Sequence, residues 1–468
     1  MPPLPTETAV KVVVCLFVSS AVATWLPLAA KAADSPWTLQ SFADSPENWQ
    51  LSGSFRSRYE HLDGQPRPGL DASPDLLSFR TTVSAAYTTG AFRFAAEIYD
   101  SRAYWGDSGT GMGTGEVNAL ELVQAYVGAD LADVFGADTH ASIQAGRFML
   151  NLGSRRLVAA DDYRNTTNSY TGLRVDLNRK AGPSTTLIYT LPQRRLPDDL
   201  PSILDNEIEM DSESSALVLW GGILTWPRLI AQESLQTSFF RVTEDDEPDL
   251  ATRNRRLNTG SIRLFRDPAA GAWDYEVEAA YQWGSVRAST ARNAPELDVS
   301  AYFYHLELGY QSAGAWEPRV SLEYDEVSGD DSDSDYGRFD TLFGMRRADF
   351  APSGIYAAVA RANIRSPGIR VDFVASSRLD GFIGYRGLWL DSRTDSFSTT
   401  NVRDATGRSG HFAGHQLDMR ARYWLVPRAL RFEGTAVLLF KERFLEDAPN
   451  APATGDTHYV SANLTATF

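Results

Sequence analysis

The closing stretch of the chain, "THYVSANLTATF" (residues 457–468), carries the pattern that decides the fold. Apolar residues occupy every second position, and mostly polar residues fill the positions between them. The apolar positions are Val460, Ala462, Leu464, Ala466 and Phe468. Because successive side chains of a β-strand point to opposite sides, this alternation predicts a strand with one apolar and one polar face.

The same two-faced pattern recurs along the chain. Clear examples are "WDYEVEAAYQW" (273–283), "YFYHLELGY" (302–310) and "HQLDMRARYWL" (415–425). Aromatic residues cluster towards the ends of such segments, where a membrane barrel places its interfacial girdles. A soluble β-sandwich also alternates, but here the polar faces are densely charged and no predicted helix could cover the apolar faces. The pattern favours an all-β transmembrane antiparallel β-barrel over a soluble β protein.

The N-terminus has the pattern of an export signal. Lys11 precedes the apolar run "VVVCLFVSSAVATWLPLAA" (12–30), and small residues surround a cleavage point after Ala32. This predicts a cleaved signal peptide over residues 1–32. A transmembrane anchor is the alternative, which Pro27 within the run disfavours.

The rest of the chain divides into a periplasmic N-terminal segment over 33–50 and the barrel over 51–468. The chain's one cysteine, Cys15, lies in the predicted signal peptide, so the mature protein would have neither a disulfide framework nor thiol chemistry. The formal net charge of −16 disfavours nucleic acid as a partner.

The number of strands follows from barrel topology, in which strands run alternately up and down with short periplasmic turns and long extracellular loops. The predicted strands are 51–62, 76–88, 91–102, 119–130, 140–150, 170–178, 184–192, 215–226, 233–244, 256–266, 272–286, 300–312, 317–328, 354–375, 381–391, 415–426, 429–441 and 458–468. This total of 18 places the short turns "TTGA", "RKAGP", "DPAAG", "SAGA" and "VPR" at one end.

The strand over 354–375 needs a decision. It contains two candidates, "GIYAAVARANI" (354–364) and "GIRVDFVAS" (368–376). If both candidates are counted as strands, the number of strands is odd and the long loop 392–414 lies at the periplasmic end of the barrel, where short turns are expected. We therefore interpret them as one long or interrupted strand.

The parity that turns apolar side chains towards lipid turns many charges into the barrel lumen. A charge that faces lipid costs about 2–4 kcal/mol near the bilayer midplane, so this parity is strongly preferred. The inward basic residues are Arg56, Arg58, Arg80, Arg93, Arg174, Arg263, Arg319, Arg370, Arg386, Arg420, Arg422 and Arg431. The inward acids are Glu60, Glu97, Asp176, Asp274, Glu276, Glu278, Glu307, Glu323, Asp325, Asp372, Asp418 and Glu433.

Two interpretations of these charges stay open. They can form cross-strand salt bridges that stiffen the barrel, or arginines can form a constriction that selects anions, because guanidinium presents a planar fork suited to carboxylates. Both can hold, since lumen acids can neutralise most arginines and leave a few for a solute.

An acidic stretch, "DDSDSDYG" (330–337), places Asp331, Asp333 and Asp335 at every second position, as in a calcium loop. It does not fit an EF-hand, because the sixth position from Asp331 is Tyr336 rather than Gly and the twelfth is Leu342 rather than Glu. The sequence therefore predicts no metal site and no cofactor, with these three aspartates as the remaining calcium candidates at an extracellular loop.

Several stretches resemble the alginate-export family of bacterial outer-membrane porins. They are "GRFMLNLGSRRLVAADDYRNTTNSYTGLRVD" (146–176), "EYDEVSGDDSDSDYGRFDTLF" (323–343), "RANIRSPGIRVDF" (361–373), "YRGLWLDSRTDSF" (385–397), "GHQLDMRARYWL" (414–425) and the closing strand. They follow one another in the family's order and cover the chain from about residue 50 to its end.

The resemblance implies an 18-stranded barrel whose arginine-lined pore is narrowed by infolded loops and conducts a negatively charged uronate polysaccharide. It singles out the basic residues Arg147, Arg155, Arg156, Arg174, Arg80, Arg102, Arg420 and Arg422. With Arg370, which the parity supplies, these are the predicted pore-lining contacts of the solute. The predicted lumen acids are Asp176, Asp274, Glu276, Glu323, Asp325 and Asp418. Arg147 shares the parity of Ile143 and Ala145, so it requires a bulge or a strand end.

The expected function is passive, anion-selective passage of an alginate-like polysaccharide through the outer membrane of a Gram-negative bacterium. Uptake of small anionic or neutral nutrients is the alternative with the same fold. A barrel enzyme is disfavoured, because none of the six histidines lies in a recognisable nucleophile context. The expected partners are an anionic polysaccharide or small anionic solute, outer-membrane lipid and a periplasmic export scaffold.

Overall fold

A computed structural model of the chain shows one closed, antiparallel β-barrel of eighteen strands. The structure describes residues 37–43, 47–161, 163–230, 232–331, 335–345, 350, 352 and 354–468. The predicted signal peptide and residues 33–36 and 44–46 of the predicted periplasmic segment lie outside these residues, so the signal peptide and the periplasmic assignment stay predictions.

The strands follow one another around the barrel in sequence order. They are β1 (Trp49–Asp63), β2 (Asp75–Thr89), β3 (Phe92–Tyr104), β4 (Asn118–Ala132), β5 (Thr139–Phe148), β6 (Tyr170–Arg179), β7 (Ser184–Pro192), β8 (Leu217–Ile230), β9 (Glu233–Glu244), β10 (Arg256–Arg266), β11 (Ala272–Arg287), β12 (Glu296–Gln311), β13 (Arg319–Val327), β14 (Ile364–Ser376), β15 (Leu379–Trp389), β16 (Phe412–Val426), β17 (Leu430–Lys441) and β18 (Thr457–Thr467). Three short helices in the described residues are α1 (Leu39–Phe42), α2 (Leu200–Leu204) and α3 (Arg443–Asp447). The predicted barrel and its strand number are confirmed.

Closure depends on the final strand, which pairs with the first. The register runs from Ser54 opposite Thr467 to Asp63 opposite His458. Along β18 the predicted parity holds, since Val460 and Leu464 are exposed on the outside whereas Tyr459 is fully buried inside. Closing the sheet removes unpaired strand edges, which a membrane does not tolerate.

The two ends of the barrel differ in the length of their connections. Short turns such as 90–91, 267–271 and 427–429 join the strands at one end. Long loops join them at the other, and four of these loops matter below. They are L3 (149–169), L4 (193–216), L7 (328–363) and L8 (390–411).

The predicted strand over 354–375 is wrong in its first half. Strand β14 begins at Ile364, directly after Asn363, whose positive φ of 44° breaks the extended backbone. Residues 354–363 belong instead to L7 inside the barrel, where Ile355 and Tyr356 are fully buried. The stretch "IYAAVA" is apolar at consecutive positions, which suits a segment packed on all sides better than a two-faced strand.

A hydrophobic core fills the lumen near the long-loop end. Inward residues there, including Leu219, Phe240 and Phe303, are buried with L3 residues such as Leu157 and Val158. The strict alternation of apolar and polar faces is thus lost at this end, because infolded loops replace water as the partner of the inner face.

The described N-terminal segment lies against the outside of β1. Gln40 of α1 donates to the carbonyl of Trp49 (2.9 Å) and accepts from the backbone nitrogen of Leu51 (2.7 Å). The rings of Trp37 and Phe468 lie 5.8 Å apart. None of the helices in the described residues is long and apolar enough to cross a membrane.

Candidate functional site: the arginine-lined lumen

Loop L3 crosses the lumen, and its second half is fastened to β1 and β2 by arginines. The Nη2 atom of Arg58 donates to the carbonyl of Tyr163 (2.6 Å), and Nη2 of Arg56 donates to the carbonyl of Arg164 (2.7 Å). Arg80 reaches the same Arg164 carbonyl (3.1 Å). Carbonyl dipoles point at guanidinium groups here, so the loop is held without neutralising their charge.

The first half of L3 is fastened to β11 by an ion pair. Arg156 donates to Glu278 (2.6 Å) and to Glu276, and Ser154 donates to Glu278 (3.1 Å). In a closed ring of eighteen strands, β2 and β11 lie nine places apart. L3 therefore spans the full width of the barrel and narrows the lumen.

Loop L7 joins L3 inside the barrel. The backbone nitrogen of Phe343 donates to the carbonyl of Leu157, and the backbone nitrogen of Ala159 donates to the carbonyl of Phe343, both at 3.0 Å. The backbone nitrogen of Met345 donates to the carbonyl of Arg155 (2.9 Å). The two loops thus form one hydrogen-bonded insert.

A cavity of about 310 Å³ lies between this insert and the barrel wall; we call it the basic cavity. It is lined by Arg56, Arg58, Arg80, Arg155, Tyr163, Met345, Arg370, Phe382, Arg420, Arg422, Arg431, Glu433, Asn463 and Thr465. Eight of these residues are arginines and one is a carboxylate. The lining is therefore strongly positive.

Several arginines of the basic cavity are held by neutral groups. Arg58 is 2% exposed, donates from Nε to the side-chain oxygen of Asn463 (2.5 Å) and lies 4.0 Å above the Tyr163 ring. Arg431 lies over the Trp424 ring at 5.5 Å. Among the residues that the structure describes, Arg56, Arg58, Arg155 and Arg431 form no ion pair with a carboxylate.

The remaining wall of the basic cavity is partly neutralised. Arg370 pairs with Asp372 (2.8 Å) and lies 3.7 Å above the Phe382 ring. Arg422 pairs with Asp380 (2.6 Å). Arg420 lies 4.9 Å from the centre of the Phe382 ring. Phe382 is thus an apolar platform between guanidinium groups, which an aromatic quadrupole attracts.

Strands β10–β13 form a second region, which we call the paired wall. The Nε atom of Arg319 donates to Asp274 (3.0 Å), and Arg263 donates to Glu276 (2.6 Å). Asp325 lies 2.7 Å from the Nδ1 atom of His305. Acids and bases form a connected network here, in which Arg319 contacts both Asp274 and Glu307, and this network stiffens the wall that anchors L3.

A second cavity of about 340 Å³ lies along the paired wall and continues to β14. It is lined by Pro268, His305, Glu307, Arg319, Glu323, Arg370 and Asp372. Pro268 belongs to a short turn, so this cavity extends towards the short-turn end of the barrel.

The predicted solute contacts separate into groups. The basic cavity brings together Arg80, Arg155, Arg370, Arg420 and Arg422. Arg156 instead anchors L3, and Arg174 faces the lumen on β6, where it pairs with Asp176 (2.7 Å). Of the predicted acids, Asp274, Glu276, Glu323 and Asp325 lie on the paired wall, while Asp418 is buried on β16.

Arg102 requires a correction, because it lies outside the pore. It shares the parity of Phe94 and Ile98, which are exposed on the outer face of β3. There it pairs with Asp100 on the same face (2.9 Å). The parity of β3, with Glu97 facing inwards, was the signal that could have placed it.

Arg147 lies at the end of β5, as its parity required. It donates to Glu121 of β4 (2.5 Å) and to Glu213 of L4 (2.9 Å), so it ties L4 to the rim. Conversely, Arg56, Arg58 and Arg431 line the basic cavity although only their inward parity had marked them.

The acidic stretch packs against L8. Asp330 accepts from the backbone nitrogen of Gly337 (2.9 Å), and its own backbone nitrogen donates to Asp395 (3.0 Å). Asp331 and Asp335 are exposed, and Asp333 lies outside the described residues. In the part of the chain that the structure describes, no three His, Cys, Asp or Glu side chains are arranged to hold a metal ion.

Solved structures with the same fold include outer-membrane porins of pseudomonads. OccD3 (OpdP) of Pseudomonas aeruginosa is 15% identical, with a TM-score of 0.54 over 90% of this chain and 91% of that one. OccK2 (OpdF) of the same organism, crystallised with glucuronate, is 13% identical, with a TM-score of 0.55 over 90% and 98%. A BenF-like porin from Pseudomonas fluorescens Pf-5 is 14% identical, with a TM-score of 0.58 over 90% and 99%.

Sequence comparisons identify the family. None of the curated proteins compared with the chain matches it significantly. A family model described as alginate export matches residues 48–454. Because this match spans nearly the whole barrel, the protein belongs to the alginate export family of outer-membrane pores.

Proposed function

We propose that the protein is a passive, anion-selective pore in the outer membrane of a Gram-negative bacterium, and that it conducts a negatively charged polysaccharide of the alginate type. The observation that carries this proposal is the basic cavity, where eight arginines and one carboxylate line the same space. In a lumen with low-dielectric walls, charge of one sign concentrates counter-ions and excludes ions of the same sign.

Arginine suits the transport of a polyuronate. Its planar guanidinium can bind a carboxylate through two parallel hydrogen bonds, and its charge persists across the physiological pH range. A polymer in transit must leave each site as readily as it arrives, so each contact has to be weak and replaceable. The arginines are spread over β1, β2, L3, β14, β16 and β17, which supports a series of such contacts rather than one tight site.

The lumen acids serve a different purpose in this proposal. Glu276 and Glu278 hold Arg156, and Asp274 holds Arg319. The contacts of Arg156 keep L3 across the lumen and so preserve the shape of the basic cavity, whereas the Asp274–Arg319 pair joins β11 to β13. The acids on the paired wall form ion pairs with arginines, which neutralise much of their charge. They therefore repel an anion only weakly.

Passage of a small anionic solute is the second candidate. Two observations favour it: the basic cavity, at about 310 Å³, is at the lower end of small-ligand pockets, and one protein of the same fold was crystallised with glucuronate, a single uronate. A monomer and a polymer present the same carboxylate to the arginines. The direction of flow and the length of the solute are what separate the candidates.

Both candidates are transport functions. Membership of a family of pores supports transport rather than catalysis. A periplasmic export scaffold as partner stays a prediction.

Current recordings from the purified protein in a planar bilayer test the polymer. A polyuronate added to the short-turn side should reduce the anion current in a concentration-dependent way, and a neutral glucan of equal length should not. Glucuronate at the same carboxylate concentration is the matched control. Weaker block by the monomer supports the polymer, because a chain carries many linked carboxylates.

Equal block by polymer and monomer would favour the small-solute pore. Equal block by the neutral glucan would contradict charge recognition in either form.

A further inference from the structure

One arginine on the outer surface of the barrel wall lacks an acidic partner. Arg241 of β9 stands between Phe240 and Val242, which are buried inside the barrel, so its side chain points outwards. Trp220, which lies opposite Arg241 in the sheet, is exposed on the same outer face. Within the described part of the chain Arg241 forms no ion pair with a carboxylate, and its hydrogen bond to the side-chain oxygen of Asn258 is long, at 3.4 Å.

Arg241 lies near the end of the barrel that carries the long loops. Strand β9 ends three residues later, at Glu244, where the loop 245–255 leaves the wall. Three residues of extended chain measure about 10 Å. In an outer-membrane barrel the long-loop end faces the outer leaflet, so the guanidinium of Arg241 points at the lipid of that leaflet.

A band of aromatic rings lies beside Arg241 on the outer face. The rings of Trp220 and Phe239 lie 5.6 Å apart, and those of Phe239 and Trp283 lie 6.2 Å apart. Aromatic side chains of a barrel gather where the hydrocarbon of the bilayer meets its headgroups. Phe239 is two residues further from the loops than Arg241. The band therefore indicates that Arg241 lies at the height of the lipid headgroups.

The neighbouring carboxylate belongs to a different arginine. Arg256 of β10 lies opposite Thr243, in the next outward row towards the loops. Its guanidinium pairs with Asp245 and donates to the backbone carbonyl of Glu244. Asp245 therefore neutralises Arg256, and the charge of Arg241 has no counter-ion among the described residues. A cation beside an apolar band on the lipid side suits an amphipathic anion.

We propose that Arg241 binds a phosphate of an outer-leaflet lipid, and that the exposed rings of Trp220, Phe239 and Trp283 contact the apolar part of the same molecule. The ligand class is a phosphorylated glycolipid of the lipid A type. A guanidinium binds phosphate through a planar fork of hydrogen-bond donors, and basic side chains at the membrane surface attract anionic headgroups. This inference rests on the outer-membrane location in the proposed function and is independent of what the pore conducts.

The barrel contains a matched control for Arg241. Arg102 also points outwards near the long-loop end, two residues before β3 ends at Tyr104, and Phe79 lies opposite it in the sheet. Its Nε atom, however, donates to both carboxylate oxygens of Asp100 (2.9 and 3.1 Å). The two arginines share the outer face, the end of the barrel and aromatic neighbours. They differ chiefly in whether the protein supplies the counter-ion.

The experiment measures lipid binding to the purified protein in detergent by native mass spectrometry. The probes are lipid A with both phosphates and the same lipid A with its phosphates removed. The wild type should bind the phosphorylated probe several-fold more tightly than the other, R102Q should keep this preference and R241Q should lose it. Both substitutions remove one positive charge from the outer face, so a difference between them reports a site rather than net charge.

Equal binding of the two probes by the wild type, or equal losses in R241Q and R102Q, would overturn the lipid site. Neither variant alters the lumen, so the proposed function, which the bilayer recordings test separately, would stand. R241K keeps the charge and should keep most of the preference. A loss in R241K equal to that in R241Q would overturn recognition by charge.

Thermal unfolding gives a second measurement. A ligand that binds only the folded protein raises its unfolding temperature. Phosphorylated lipid A should therefore raise the unfolding temperature of the wild type and of R102Q, and should leave that of R241Q nearly unchanged. An equal rise in R241Q would contradict the proposed site.

Discussion

The basic cavity and the paired wall use the same side chain, arginine, in opposite ways. On the paired wall, Arg319 meets Asp274, and Arg156 meets Glu278 from L3. In the basic cavity, Arg58 is held by a carbonyl, an amide and an aromatic ring, none of which carries net charge. The number of arginines on a barrel wall therefore does not determine its field; the charge of their partners does.

The two regions also differ in what their arginines stabilise. A buried ion pair offsets the desolvation of both charges, and it becomes costly when one partner is removed. A guanidinium that donates to carbonyl groups keeps its charge for a solute and still satisfies its hydrogen bonds. The paired wall thus stiffens the molecule, and the basic cavity supplies its electrostatic potential.

The largest expected effect comes from breaking the pair that anchors L3. In R156M, Glu278 would stay buried and Glu276 half-buried with one cation fewer, and the loss of one partner of a buried pair costs about 3–5 kcal/mol. We expect the free energy of unfolding, measured by denaturant titration in detergent, to fall by about 3 kcal/mol. R58M is the matched control: its partners are neutral, so we expect a fall of about 1–2 kcal/mol. Equal losses in the two variants would remove the distinction between the regions.

The second effect concerns ion selectivity. Arg155 and Arg431 both line the basic cavity, and neither forms an ion pair within the described chain. The double variant R155Q/R431Q should lose anion preference, because each charge changes the energy of a nearby anion by on the order of 1 kcal/mol in a partly screened lumen, about fivefold in local concentration. The permeability ratio from reversal potentials measures this. R194Q, on the exposed part of L4, should leave the ratio unchanged, and an equal loss there would point to a general surface effect.

The smallest effect is local. It concerns a buried carboxyl group, Asp211, rather than a buried arginine. At the L4 rim, the buried Asp211 accepts from Asn118 (3.0 Å) and from the backbone nitrogen of Leu196 (3.0 Å), and its backbone nitrogen donates to Glu121 (2.8 Å). The other charged groups around it are Arg147, Arg195 and Glu213. Burial, followed by the neighbouring Glu121, raises the pKa of Asp211 to about 7.

This shift predicts a pH-dependent attachment of L4. The folded protein holds the Asp211 proton more tightly than the unfolded chain, so the stabilisation is complete below about pH 4 and is lost as the pH rises through about 7. Protease cleavage near the exposed Glu207 and Glu209 should therefore accelerate between these values. D211N keeps the acceptor oxygen and cannot ionise, so its cleavage should stay slow at high pH. Identical pH profiles for the wild type and D211N would contradict the assignment.

The alternation of side chains was enough to predict the barrel, its strand number and the inward position of most charges. It failed where a segment is surrounded on all sides. Residues 354–363 are apolar at successive positions and pack inside the barrel, which strand periodicity cannot distinguish from a continued strand. Arg102 failed for another reason: its placement followed a family pattern, whereas the parity of β3 points it outwards.

The partners of the lumen arginines could not be predicted from the sequence. Arg56 and the carbonyl of Tyr163 are separated by 107 positions, and Arg156 and Glu278 by 122. Inward parity predicts that a charged side chain faces the lumen. It does not predict which loop contacts that side chain. The path of L3 across the barrel, from β11 to β2, therefore decided which arginines became anchors and which stayed open to a solute.

The central claim is that the basic cavity gives the pore its selectivity. The most direct measurement is the reversal potential of the wild-type protein in a planar bilayer that separates two KCl concentrations. We predict a potential shifted towards the chloride equilibrium potential, because the exposed charge of the cavity is positive. A potential shifted towards the potassium equilibrium potential would contradict the account.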